Sequence, residues 1–346
     1  MYQAPPFGYP QPYIPMPPAD MQRMREEERL RKDANRAGVA VLCYYGLMFA
    51  IQMLLLNLLA VWGLMDYSQV GNAFQGIQPL AYYLMAGVCA TVSAVLPAAL
   101  LLRSSREGIH AILPFGAVGK RKTLAYVVMG LAVCMFANFA TTILSNNLSG
   151  VGIPEYAPST PFDGSPLSAV MLVLCVCVVP ALMEELVFRG AVLGSLRRFG
   201  DGIAVLGSAG LFGIMHGNLV QIPFAFMVGL ILGYLVVHTG SMLPSILVHF
   251  FNNFYSCFML ISAFYLDAQL YNIMIYLLVL LIFIGGGLGF FYLSRRDREL
   301  FTFSRKKSML PFARRLGILV GSPAVIAFLV VMGIMTLLTM VGGMML

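Results

Sequence analysis

Residues 167–190 read LSAVMLVLCVCVVPALMEELVFRG, an apolar run that ends in two adjacent acids and an arginine. An apolar run of about 20 residues is long enough to cross a bilayer as an α-helix. Ionisable side chains at that depth cost a few kcal/mol or more, so they usually face a partner or a water-filled cavity. We therefore expect Glu184, Glu185 and Arg189 to belong to a buried functional site.

The composition of the whole chain supports a membrane protein. Of the 346 residues, 59% are hydrophobic and 11% are charged, and several apolar runs are long enough to span a bilayer. We predict an all-α, polytopic transmembrane bundle of eight or nine spans around a buried polar cavity. The nine candidate spans are 38–65, 79–102, 123–145, 166–188, 203–219, 222–238, 242–264, 270–293 and 316–341.

The basic residues predict the topology. All 22 lysines and arginines fall in the four segments 23–36, 103–122, 189–198 and 295–315. By the positive-inside rule these segments are cytoplasmic, and the N-terminus is cytoplasmic with them. Topology thus accounts for the net charge of +7, so we expect the lipid bilayer, and no nucleic acid, as a partner.

The N-terminal region differs from the rest of the chain. Residues 1–20 contain seven prolines and three tyrosines, and residues 21–36 alternate acids and bases, as a short surface helix would. We predict a disordered cytoplasmic tail over 1–37 and a transmembrane domain over 38–346. The six cysteines all lie in apolar runs, where free thiols behave as small hydrophobes, so we expect neither a disulfide framework nor a cysteine zinc site.

The two acids are predicted to have different roles. Neighbours on a helix point about 100° apart, whereas residues four apart share a face. Arg189 follows Glu185 by four residues, which favours an ion pair between them and leaves Glu184 available to a cavity. A pair between Glu184 and Arg189 is the open alternative, since Pro180 can distort this helix.

Further polar residues lie in a long segment without charge. No Asp, Glu, Lys or Arg occurs from residue 202 to residue 265, yet this segment contains His216, His249, Asn252 and Asn253. His216 follows Phe212 by four residues, and Asn253 follows His249 by four, so each pair lines one helix face. Asn252 is one position off the His249 face, which indicates a supporting role.

These residues fit hydrolysis of an amide bond. Such a reaction needs a base to activate water and donors to stabilise the oxyanion. Glu184 suits the base and His216 the partner that orients the water, while His249 and Asn253 can donate to the oxyanion. The set also fits one divalent metal such as zinc, held by Glu184, His216 and His249 with Glu185 as the base. A mechanism without metal is the other alternative.

Three ordered motifs resemble those of the CAAX prenyl protease and bacteriocin-processing family of intramembrane proteases, also called CPBP or Abi. The motif E-E-x-x-F-R corresponds to residues 184–189, F-x-x-x-H to residues 212–216, and H-x-x-x-N to residues 249–253. The resemblance covers about residues 165–260 and implies a catalytic core there, with a cavity open toward the cytoplasm.

The resemblance implies an intramembrane endopeptidase that acts on a peptide or protein near the membrane. Eukaryotic relatives remove three residues after a prenylated cysteine, whereas bacterial members are linked to bacteriocin maturation or self-immunity. A bacterial plasma membrane is the expected location. The alternatives are a non-catalytic immunity or scaffold protein that binds peptide in the same cavity and, less favoured because the sequence shows no internal repeat, a transporter.

Overall fold

The computed structural model describes residues 18–66, 74, 76–104, 113–151, 153, 161–303 and 308–345. These described residues form ten helices. The helices are α1 (Pro18–Val61), α2 (Pro79–Ser104), α3 (Lys120–Gly150), α4 (Pro166–Phe199), α5 (Asp201–Met215), α6 (Gln221–Thr239), α7 (Leu243–Tyr265), α8 (Ala268–Arg296), α9 (Phe312–Val320) and α10 (Pro323–Met345).

Eight of these helices are long and apolar enough to cross a membrane, namely all except α5 and α9. The prediction of an all-α, polytopic bundle is therefore confirmed. The charged residues cluster near helix ends, whereas Glu185 and Arg189 lie inside α4 with fully buried side chains.

The fifth predicted span, 203–219, is wrong in length. It corresponds to α5, whose 15 residues extend for only about 22 Å. The chain then turns at residues 216–220, where the Asn218 side chain accepts hydrogen bonds from the backbone N–H groups of Val220 and Gln221. Irregular backbone at membrane depth is tolerated only where protein satisfies its polar groups, as it does here.

The last predicted span, 316–341, is two helices. The helix α9 ends at Val320, and α10 begins at Pro323 after a two-residue break. Proline has no N–H to continue a helical ladder, and it disfavours helical geometry in the residue before it. The crossing helix is therefore α10 alone, and α9 is a short helix that carries Arg314 and Arg315.

Within the predicted tail 1–37, the short surface helix expected over residues 21–36 is present as part of α1, one continuous helix of 44 residues that begins at Pro18. Leu30 and Ala34 of this segment are fully buried, so it packs on the bundle. Asp33 pairs with Arg198, and Glu27 pairs with Arg314 at 2.8 Å. The local charge pattern could not predict these contacts with other helices. Residues 1–17 of the predicted tail lie outside the described residues.

Glycines permit close packing between helices. A Cβ added at Gly229 of α6 would lie 3.0 Å from the Cα of Ala209 in α5. Gly286 and Gly289 of α8 likewise face α3, where Ala132 and Ala125 occupy the space that a side chain would need. Small residues that let helix backbones approach each other are typical of membrane helix interfaces.

Replacing Gly289 by alanine is expected to destabilise the α3–α8 interface by about 1–3 kcal/mol, the usual cost of overpacking. The new methyl group would lie 2.7 Å from the carbonyl oxygen of Ala125 and 2.7 Å from a methyl group of Val128. Denaturant titration in detergent measures the change. Gly287→Ala is the matched control, because its added Cβ has no atom of another described helix within 4 Å. Equal stability of the two variants would contradict this packing.

A polar cluster joins the ends of α3, α6 and α8. Asp297 accepts hydrogen bonds from the Tyr126 hydroxyl and from Nε2 of His238, the latter at 2.9 Å. Burial alone would raise the pKa of Asp297, but these hydrogen bonds outweigh it and the pKa is lowered. The ionised carboxylate of Asp297 therefore links α3, α6 and α8 at one end of the bundle.

Candidate active site

The helix α4 departs from regular α-helical geometry on both sides of the two acids. Glu184 and Glu185 end the α-helical stretch Val179–Glu185, which lies between the π-helical stretches Val173–Val178 and Leu186–Val192. Single π-helical turns inside α-helices are frequent at functional sites. Here the π-helical turns change the direction around the helix axis in which the two acids point toward the neighbouring helices.

Pro180 explains one contact between α4 and α7. Proline has no N–H, so it cannot donate to the carbonyl of Val176 four residues earlier. The side-chain amide of Asn253 donates to that carbonyl instead, at 3.2 Å. Asn253 thus satisfies α4 backbone exposed by the proline and keeps a second amide hydrogen for another acceptor.

Glu185 is the centre of a fully buried network. Its Oε1 lies 2.8 Å from Nη1 of Arg189, which is the ion pair predicted from the four-residue spacing. The same carboxylate accepts hydrogen bonds from Nδ1 of His249, at 2.9 Å, and from the hydroxyl of Ser245. A buried carboxylate requires such compensation, because each ion loses several kcal/mol of hydration.

Glu184 has a different environment from Glu185. Its side chain is 17% exposed, and its Oε2 lies 3.7 Å from Nε2 of His249. Within the described part of the chain it forms no ion pair with Lys or Arg. His249 therefore lies between two acids, one paired with an arginine and the other available.

Aromatic and cationic side chains surround the ring of Phe212 in α5. The Arg189 guanidinium lies 4.2 Å from the ring centroid, and the His216 and His249 rings lie 5.0 and 6.0 Å from it. A cation over an aromatic face is stabilised by the ring quadrupole, and more so when it is desolvated. Phe212 thus brings Arg189, His216 and His249 to one place.

The hydrogen bonds of the two histidines constrain their proton positions. Nδ1 of His216 lies 2.8 Å from the carbonyl oxygen of Phe212, which can only accept, so Nδ1 carries the proton. The same reasoning puts a proton on Nδ1 of His249, which faces the Glu185 carboxylate. Nε2 of His216 is then a hydrogen-bond acceptor in the neutral imidazole, whereas Nε2 of His249 faces Glu184.

Asn252 and Ser245 lie next to these residues on α7. The side-chain amide of Asn252 donates to Oδ1 of Asn253 at 3.4 Å, which agrees with a supporting role. Ser245 was missed by the sequence reasoning, although it precedes His249 by four residues and hence shares its helix face. Tyr44 of α1, which packs edge-on against Phe188 at 6.1 Å and interacts electrostatically with Glu184, was also missed.

No group of three or more His, Cys, Asp or Glu side chains that could hold a metal occurs in the residues described. Both nitrogens of His249 face glutamates, and Nδ1 of His216 faces a backbone carbonyl. Zinc held by Glu184, His216 and His249 stays a prediction of the sequence, and we assign no catalytic step to a metal.

The apolar helices define a multi-pass membrane protein, and inside it His249 lies between Glu184 and Glu185. Residues 166–255 match the family model described as Rce1-like, type II CAAX prenyl endopeptidase Rce1-like. The resemblance carried by the three motifs is thus confirmed, because the matched segment contains all three of them. No curated protein and no solved structure gives a significant match to the chain.

Proposed function

We propose that the protein is an intramembrane endopeptidase that hydrolyses a peptide bond near the membrane with a water activated by Glu184. The observation that carries the proposal is the contrast between the two acids around His249. Glu185 is fully buried and forms an ion pair with Arg189, whereas Glu184 is partly exposed and forms no direct ion pair with a Lys or Arg among the described residues. A carboxylate of the second kind is free to take a proton.

In the proposed reaction, Glu184 removes a proton from water, and the oxygen forms a bond to the peptide carbonyl carbon. Nε2 of His216 positions this water, because its Nδ1 is already committed to the Phe212 carbonyl. Breakage of the carbon–nitrogen bond follows, and Glu184 returns the proton to the leaving nitrogen. Glu185 and Arg189 hold His249 in position throughout.

The oxyanion of the intermediate requires hydrogen-bond donors. The second amide hydrogen of Asn253 and a protonated Nε2 of His249 are the proposed donors, since both side chains are already fixed by contacts to α4. Donors held in advance stabilise the developing charge without having to reorganise. Ser245 and Asn252 support this arrangement from the same helix.

The proposed substrate is a peptide or membrane-associated protein, in keeping with the matched family. The proposed setting is a bacterial plasma membrane with the N-terminus in the cytoplasm. The grouping of all 22 basic residues in four segments supports that orientation.

The test compares the peptide termini of membrane and secreted fractions from cells that carry the native chain or Glu184→Gln, matched for expression. We expect termini that occur with the native chain and disappear with the variant, because only the native chain has the base. Those termini would also identify candidate substrates. Indistinguishable termini together with an intact cellular phenotype would contradict the proposal and favour an immunity or scaffold protein that binds peptide without cleaving it.

A further inference from the structure

Two cavities meet where α1, α2 and the end of α4 come together. The larger has a volume of about 540 Å³, and five basic side chains line it: Arg25, Arg29, Lys32, Arg36 and Arg198. The smaller, of about 170 Å³, is an apolar groove between Val39 and Cys43 of α1 and Pro97 and Leu100 of α2. Arg36 lines both, so the basic cavity and the apolar groove are adjacent.

The order of basic and apolar residues along α1 explains why a basic cavity lies next to an apolar groove. Arg25, Arg29, Lys32 and Arg36 recur at intervals of three or four residues and therefore share one helix face. Val39, Ala40 and Cys43 continue the stripe without charge. The last charged residue of α1 is Arg36, so the change from basic to apolar coincides with the expected boundary of the membrane.

The charges in the basic cavity are not balanced. It contains two acids, Glu28 and Asp33, and therefore has three more positive charges than negative ones. Lys32 pairs with Glu28 at 2.7 Å, and Asp33 is shared by Arg36 and Arg198. Arg25 and Arg29 form no ion pair with any described residue, and Arg29 is close enough to Arg198 for the two cations to repel each other. An anion between them would relieve this repulsion.

We propose that this junction is a binding site for an anionic phospholipid of the adjacent leaflet. The phosphate lies among Arg25, Arg29 and Arg198, and one acyl chain lies along the groove beside Val39 and Leu100. Arginine forks bind phosphate with directed, charge-assisted hydrogen bonds, and basic pockets between membrane helices favour anionic head groups. A soluble phosphate compound would use the basic cavity alone, whereas the adjacent apolar groove matches the two-part chemistry of a lipid.

The site would connect the membrane to the buried cluster through α1 and α4. Arg198 lies in the last turn of α4, the helix that carries Glu184 and Glu185, and α1 also contributes Tyr44, which packs on Phe188. The proposal concerns binding only, and it does not depend on peptidase activity.

The experiment is lipid titration of the full-length protein in detergent, with bound lipid counted by native mass spectrometry. The probes are dioleoyl phosphatidylglycerol and, for comparison, dioleoyl phosphatidylcholine. We expect the anionic lipid to bind more tightly, and Arg25→Gln/Arg29→Gln to weaken it about tenfold, since each interfacial base contributes on the order of a few-fold. Leu100→Trp, which fills the groove and keeps every charge, is expected to weaken it as well.

The matched control is Arg23→Gln/Arg31→Gln, which removes the same charge from other faces of α1. Equal weakening by the control would overturn the proposal, because general surface charge would then explain the binding. Full displacement of the lipid by millimolar inorganic phosphate, or unchanged binding in Leu100→Trp, would also overturn it and indicate a phosphate site without an acyl-chain groove. Preserved thermal unfolding in each variant shows that the fold is intact.

Discussion

Replacement of Glu184 by glutamine is expected to lower the rate of peptide-bond hydrolysis by about 10²–10⁴-fold, the usual contribution of a positioned general base. Glutamine has nearly the same shape as glutamate but cannot accept the proton of the attacking water. The loss should appear in kcat, because the base acts in the chemical step and not in substrate binding.

The same substitution should leave the fold intact. The Glu184 carboxylate is 17% exposed, and its one ion pair within the described chain is the 3.7 Å approach to His249. Removing a long and partly solvated contact of this kind changes stability little. Hydrolysis of a peptide substrate by the purified protein under single-turnover conditions, together with thermal unfolding in detergent, separates the two effects.

Glu299→Gln is the matched control for this prediction. Glu299 lies in the turn after α8, and its side chain is exposed, so the same change of charge should leave the rate unchanged. A Glu184→Gln variant that retains the native rate would remove Glu184 from the role of base. Loss of the native fold in that variant would instead show that Glu184 is a structural residue.

Replacement of Arg189 by methionine should destabilise the protein by about 3–5 kcal/mol, because it leaves Glu185 as a buried charge without its cation. Both side chains are fully buried, and the guanidinium also lies over the ring of Phe212. Denaturant titration in detergent measures this loss as a lower midpoint of unfolding.

The double variant Glu185→Gln/Arg189→Met tests the cause. A neutral glutamine still accepts hydrogen bonds from Ser245 and His249, so most of the lost stability should return. Breaking the exposed pair of Glu27 and Arg314 with Arg314→Met should cost at most about 1 kcal/mol. If the double variant were as unstable as Arg189→Met, the loss would come from packing of the arginine and not from the unpaired charge.

Most of the fold was predictable from the sequence because membrane spans are a local property. A helix that crosses lipid must be apolar over about 20 consecutive residues, and hydropathy detects this directly. The errors occurred where that rule is weakest. The helix α5 is apolar but short, since protein and not lipid surrounds its end.

The sequence predicted which residues belong to the candidate site, but it predicted only some of the contacts between them. The pair of Glu185 and Arg189 is local to one helix, so a spacing of four residues was enough to predict it. Ser245 was not predicted, because a serine in a membrane helix usually forms its hydrogen bond with the backbone of the same helix. The donation from Asn253 to Val176 was likewise hidden, since it joins residues 77 positions apart.

The sequence by itself therefore determined the class of protein, the approximate spans and the polar residues that lie at membrane depth. Only the tertiary structure decided which atoms meet. It placed His249 between Glu184 and Glu185, and it gathered Arg189 and both histidines around Phe212. The physical reason is that such contacts depend on the rotation and tilt of α4, α5 and α7. Those are fixed by Pro180, by the π-helical turns and by helix packing over the whole bundle.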